Sequence, residues 1–118
     1  DIIEGQGSLF HPSFAGVSLG LLHGSQPDAF IVCHEPTRTK MRGVEAALPS
    51  IGDVIKQTIQ CGKLTNKNIH CIGIALNTSN MKNHKNDINK EISSQYQLPC
   101  IDPITDDLDP FIDLLEKI

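Results

Sequence analysis

Two kinds of apolar pattern alternate along the chain. Short continuous runs appear in Asp1-Ile2-Ile3, "DAFIVCHE", "HCIGIAL" and "PCID", each bounded by polar or turn-forming residues. Runs of that length suit strands buried on both faces of a sheet. They predict an opening strand that ends at Glu4, then strands near 29–34, 70–76 and 99–102.

Between them the apolar residues recur every three or four positions, as on one face of a helix. "PSFAGVSLGLLHG" reads as a first helix, with Ser13 as its cap and Gly24 as its stop. Residues 50–61 give a second. Ser50 takes its N-cap and Asp53 complements the positive helix start. Ile51, Val54, Ile55 and Ile59 form its buried face, and Gly62 ends it. In the polar run 80–97, Ile88, Ile92 and Tyr96 keep helical spacing, which predicts a mostly exposed helix with "KNHKNDINK" on its solvated face. Pro110 suits the first turn of a last helix, in which Phe111, Leu114, Leu115 and Ile118 share a face.

Strand and helix alternate four times. The expected class is therefore α/β, a parallel sheet with helices on both faces. No internal repeat appears. In such sheets ligands gather at the carboxyl ends of the strands. Four segments fall there: "EGQGSLFHP", "HEPTRTKMRG", "NTSN" and "DPITDD".

Each segment carries candidate chemistry beside a plainer reading. Glu4 has the residue type and position to hold a magnesium ion beside a phosphate. Gly5, Gly7 and Ser8 next to it allow backbone N–H groups to approach an anion closely. The plainer alternative is a tight turn with an exposed Glu4. Arg38 and Arg42 suit a carboxylate or phosphate through paired hydrogen bonds better than Lys40 does, or else they decorate a charged surface loop. His34 and His11 are candidate general bases, or backbone-bonded histidines. His23 lies in the last turn of the first helix, where the dipole alone favours it. Asn77 reads as a base-edge contact or a turn cap.

Composition narrows the partners. The chain has 118 residues, 39% hydrophobic and 20% charged, with a formal net charge of −4. That size fits one domain. The acidic balance gives no electrostatic reason to expect nucleic acid or an anionic membrane. No apolar run approaches the ~20 residues of a membrane span, and no signal peptide opens the chain, so the cytoplasm is the default location. Cys33, Cys61, Cys71 and Cys100 form no C-x-x-C pair and no zinc-ligand spacing. Cys33, Cys71 and Cys100 are expected to act as small buried hydrophobes.

The stretch "EGQGSLFHPSFAGVSLGLLHGSQPDAFIVCHEPTRTKMRG" closely resembles the C-terminal region of a bacterial and archaeal family long catalogued as a domain of unknown function. Its characterised type is the DgcN-like D-glutamate N-acetyltransferase. The resemblance continues through "CIGIALNTS" and "LPCIDPI", and so covers nearly the whole chain. It implies a two-domain protein, an N-terminal Rossmann-like domain followed by a P-loop NTPase-like domain similar to dethiobiotin synthetase. In that comparison Glu4 stands where a magnesium-binding acid follows a strand. Asn77 stands where an asparagine contacts adenine, and Asp102 with Pro103 matches the next base-side loop. No G-x-x-x-x-G-K-[ST] occurs here. Residues 1–118 are therefore expected to be the C-terminal part of the P-loop NTPase-like domain, lacking its P-loop.

Three functions follow as expectations. One is acetyl transfer from acetyl-CoA to an acidic D-amino acid, with Arg38 or Arg42 on the substrate carboxylate and His11 or His34 accepting the ammonium proton. Another is an ATP- and magnesium-dependent ligase of the dethiobiotin synthetase type, with Glu4 on the metal. The third is a noncatalytic nucleotide-binding or interaction fragment. The substrate is a small molecule in the first two, and the full-length protein is expected to be a homo-oligomer. Glu4, His11, Arg38 and Asn77 are expected to converge on one cleft.

Overall fold

The computed structural model describes every residue except His84, and every side chain except those of His84, Lys85 and Asn86. Three strands, β1 (Ala29–His34), β2 (His70–Leu76) and β3 (Cys100–Ile101), form one parallel sheet in the order β1–β2–β3. Ile74 pairs with Cys100 and Ala75 with Ile101. Asp28 O accepts from His70 N at 3.2 Å, and His34 O accepts from Asn77 N at 2.8 Å, so β1 and β2 also advance together. Parallel neighbours need long crossovers. Helix α2 (Ile51–Gly62) lies in the first crossover and α3 (Lys85–Tyr96) in the second. Helix α1 (Ala15–Ser25) precedes the sheet and α4 (Asp109–Leu115) follows it. The α/β class and the three later strands stand as expected.

The chain divides into two compact units. The first comprises Asp1–Asp28 and Thr39–His70, and the second Ala29–Arg38 and Cys71–Ile118. In the first, α1 packs on α2, and Met41, Ile51 and Ile69 are buried. The α2 start is as the sequence predicts: Ser50 Oγ accepts from Asp53 N at 3.0 Å and donates to Asp53 Oδ2 at 2.7 Å. Ile51 is buried, and Val54, Ile55 and Ile59 are half-buried.

The second unit holds the sheet and the larger core. Ile72, Ile74, Leu76 and Thr78 are all buried, a period-2 face that runs past the end of β2. Ile74 and Leu76 are completely inaccessible, and removing each from water stabilises the fold by about 1.5–3 kcal/mol. On the opposite face, Gly73 lets Phe111 of α4 approach the strand closely.

Several sequence expectations are corrected. Residues 1–6 form no strand. They pair with no strand among the described residues, and Ile2 is 100% exposed. An apolar tripeptide acquires strand structure only from a ladder partner. Helix α1 starts with Phe14, not Ser13, at its N-cap, and Gln26 in the left-handed region, not Gly24, terminates it. Strand β1 is not buried on both faces. It is an outer strand of the three, so alternation buries Val32 and leaves its neighbour Cys33 exposed. Cys71 is half-buried, and only Cys100 among the three is buried. The last helix stops at Leu115. It buries Phe111, while Leu115 and Ile118 are about half exposed, because seven residues make barely two turns. Helix α3 starts only at Lys85, and Asn89 in the tract 82–90 is buried, not solvated; His84 lies outside the described residues.

Candidate functional site at the strand ends

In the second unit, polar residues follow the carboxyl end of each strand. His34 closes β1, and Glu35 begins the turn after it. The Glu35 carboxylate collects three side chains. Arg38 Nη2 donates to Oε2 at 2.5 Å, Thr37 Oγ1 to Oε1 at 3.3 Å, and Asn80 Nδ2 to Oε1 at 2.8 Å. The Asn80 amide first, then the Arg38 charge, hold the Glu35 carboxyl below the usual carboxylate range. Arg38 is only partly engaged, with 45% of its side chain exposed. Desolvation pulls the half-buried His34 below its ordinary 6.5. The Glu35 charge raises it and the Arg38 charge lowers it further. Desolvation thus favours the neutral imidazole at His34.

The loop after β2 is fixed from beneath. Asn77 Oδ1 accepts from Ser79 N at 3.1 Å and from Ser79 Oγ at 2.6 Å, an Asx turn that leaves the Asn77 side chain at the surface. Thr78, wholly buried, donates its N–H to Asp102 Oδ2 at 3.2 Å and its hydroxyl to the same oxygen. Asp102 is 3% exposed and also accepts from Ile104 N at 3.0 Å. Asp106 Oδ2 in turn accepts from Asp102 N at 2.8 Å and from Asn89 Nδ2 at 2.9 Å. Asp102 thus organises the ends of β2 and β3 from inside the fold.

The first unit holds Glu4, Gly5, Gly7, Ser8, His11 and Arg42. Glu4 and Gly5 are exposed. Gly7 has φ +57°, and a Cβ there would lie 3.0 Å from Phe14 Cβ, so the turn requires glycine. Ser8 Oγ accepts from Phe10 N at 3.1 Å, and Ser8 O accepts from His11 N at 3.0 Å. His11 is 7% exposed. Its Nδ1 accepts from Ser13 N at 3.1 Å, so Nε2 carries the proton and donates to Arg42 O at 2.9 Å. Both ring nitrogens are thereby engaged, and His11 joins the start of α1 to the turn at 40–47. That turn is closed by Met41 N donating to Ala46 O and by an antiparallel bridge between Lys40 and Ala47. The Arg42 residue is exposed. His23 Nε2 bonds Cys61 O at 2.9 Å, which accounts for that histidine structurally.

A cavity of about 300 Å³ in the same unit is lined by Leu9, Phe10, Gly16, Leu19, Gln57 and Cys61 among others. Its lining is apolar except for the Gln57 amide. Among the described residues, no group of three or more His, Cys, Asp or Glu side chains is placed to hold a metal ion. Glu4 stands as a single exposed carboxylate. No helix among the described residues is long and apolar enough to cross a membrane.

Glu4 and His11 thus belong to one unit, Arg38 and Asn77 to the other. Within the second unit the structure gathers His34, Glu35 and Arg38, and ties Asn80 to them through Glu35. The sequence alone does not single out Glu35 as a hub, nor Asn80 or Thr78. For Thr78 the period-2 pattern of "IGIALNT" carries a signal. A hydrogen bond spanning 45 positions, from Asn80 to Glu35, leaves no local trace.

The fold is an open parallel α/β sheet with polar residues following its strand ends. Residues 1–112 match the family described as "Domain of unknown function (DUF1611_C) P-loop domain", and the chain belongs to that family. It is 50% identical over 114 residues to a D-glutamate N-acetyltransferase of Pseudoalteromonas sp, covering 95% of this chain and 34% of the relative. It is 39% identical, across 100% of its length, to a D-glutamate N-acetyltransferase of Tritonibacter scottomollicae, of which it covers 36%. The chain therefore spans about a third of the length of the curated relatives it matches.

Proposed function

We propose that this chain forms part of an N-acetyltransferase that moves an acetyl group from acetyl-CoA to the amino group of an acidic D-amino acid such as D-glutamate. The observation that carries the reading is the placement, at the end of β1, of the half-buried His34 next to the Glu35–Arg38 ion pair, whose arginine keeps 45% of its side chain exposed. Similarity across nearly the whole chain to two D-glutamate N-acetyltransferases supports it.

The chemistry asks two things of the protein. An amine attacks only when neutral, so a base must take a proton from the ammonium group, and an acidic acceptor must be oriented by its carboxylates. His34 supplies the base, since desolvation favours its unprotonated form. His11 is less suited, because the Ser13 N–H occupies its Nδ1 lone pair. Arg38 supplies the carboxylate contact through the guanidinium edge that Glu35 leaves open. Arg42 is the alternative cation. The exposed Asn77 amide is assigned to the cosubstrate, and Asp102 acts indirectly by holding the Asn77 loop. Acetyl-CoA supplies the activated acetyl group when bound, as its thioester.

The test is acetyl transfer by the full-length protein, followed as thiol released from acetyl-CoA in the presence of D-glutamate. His34→Ala should lower kcat by roughly 100-fold or more, the usual contribution of a general base. Phosphate release from ATP with no thiol release would replace this reading with the ligase one.

A further inference from the structure

The turn after β1 and the loop after β2 are held together by one carboxylate. Arg38 bonds Oε2 of Glu35 and Asn80 bonds Oε1, so the two donors sit on the two oxygens of a single planar group. Each gives Glu35 one N–H and keeps others. The guanidinium has five N–H donors and the amide two. The spacing of these donors is thus set by Glu35 and not by their own flexible side chains.

We propose that Glu35 is the positioning residue of a carboxylate subsite, presenting Arg38 and Asn80 as a matched pair of donors for one carboxylate of the acidic acceptor. The proposal rests on the acetyltransferase reading for the identity of its ligand. Three observations support it beyond that reading. Arg38 keeps 45% of its side chain exposed while anchored, so an edge is open to an incoming anion. Asn80 comes from a different strand end, and its Nδ2 donates to Glu35 Oε1 at 2.8 Å across 45 positions of sequence. The Asn80 loop is itself fixed by the buried Thr78–Asp102 contact, so the second donor stands on a rigid base.

The physical role separates cleanly from a role in folding. Ion pairs at the surface contribute little to stability because water screens them. The same pair adds much to ligand orientation, because a donor held in place loses less freedom when the ligand arrives. Arginine in particular gains from a fixed fork.

Glu35→Ala, Glu35→Gln and Arg38→Ala in the full-length protein test this, with KM, kcat and melting temperature measured for each. D-glutamate affinity by calorimetry adds a readout independent of turnover. Glu35→Ala should raise both KM and Kd for D-glutamate by roughly tenfold, change kcat less, and leave the melting temperature in place. Glu35→Gln keeps an oxygen for Asn80 but loses the charge that holds Arg38, so it should fall between Ala and wild type. If Arg38→Ala weakens D-glutamate and Glu35→Ala does not, Glu35 is a bystander and the proposal fails. A tighter KM in Glu35→Ala would show Glu35 competing with the ligand, which also overturns it. A drop in melting temperature that parallels the loss of affinity would make the role structural and overturn it equally. If Arg38→Ala changes neither constant, Arg38 is not a subsite donor and the proposal fails, whereas the acetyltransferase reading fails only if no thiol is released from acetyl-CoA in the presence of D-glutamate.

Discussion

Asp102 Oδ2 accepts both the backbone N–H and the hydroxyl of Thr78, across 24 positions of sequence and inside the fold. Removing one donor from a buried carboxylate leaves a lone pair that water cannot reach. Thr78→Val should therefore lower stability by roughly 1–3 kcal/mol despite its matched shape. The midpoint of urea unfolding measures this. An unchanged midpoint would show that Asp102 is satisfied without the Thr78 hydroxyl.

Gly73 and Phe111 make a second test of packing. A Cβ on Gly73 would lie 2.8 Å from Phe111 Cδ1 and closer still to Cε1, within a ring that is only 6% exposed. Gly73→Ala should cost about 1–3 kcal/mol through overpacking. Phe111→Leu in the same background should recover part of it. Gly62→Ala is the control. Its Cβ would meet the Cδ1 tip of the buried Ile69 at 2.5 Å and its Cγ2 at 3.1 Å, and a terminal methyl that can change χ2 rotamer yields more readily than an aromatic ring, so the cost should be smaller. Equal costs at the two glycines would contradict the packing described for β2.

The pH profile of acetyl transfer reports on His34. Burial lowers its pKa, so the neutral base persists below pH 6.5 and activity is lost only as pH falls through the lowered value. Arg38 lowers it further and Glu35 raises it. The acid limb of kcat/KM should thus move to higher pH in Arg38→Ala and to lower pH in Glu35→Gln. Stability follows the same sign. A histidine whose folded pKa is depressed contributes fully above 6.5, and that contribution fades as pH drops toward the folded value. Shifts in the opposite directions would exclude His34 as the titrating base.

Thiol labelling separates the cysteines. Burial, then the Asp106 charge, pushes Cys100 up to about 11, and the residue is buried; desolvation raises the Cys33 thiol as well, but that residue is open to solvent. Iodoacetamide at about pH 8, near the ordinary thiol range, should modify Cys33 in the native protein and spare Cys100, with all four cysteines reacting in urea. Mass spectrometry of the labelled peptides decides it. Because the folded pKa of Cys100 is raised, its contribution to stability is complete below its ordinary value of 9.0 and is lost as pH rises toward 11. Native labelling of Cys100 as fast as Cys33 would refute its burial.

Elements whose signal is local could be read directly from the chain. The Ser50–Asp53 cap, the α2 face and the extents of β1 and β2 follow from spacing and propensity over a few residues, and the structure reproduces them. So does the α/β class, since four alternations of period admit few other arrangements. Features that depend on a distant partner emerge with the folded molecule. Asp1-Ile2-Ile3 has strand composition but no ladder, so it stays irregular. Cys33 lies in an apolar run yet faces out, because an outer strand covers one face only. His11 reads as a free base in the sequence, yet both its nitrogens are engaged, one by Arg42, 31 positions away. Arg38 and Asn77 were legible as polar residues at strand ends, but the Glu35–Asn80 bond was not. Local periodicity records which face a residue takes. Hydrogen bonds between distant segments depend on where the sheet places the strand ends, and that is a property of the assembled fold alone.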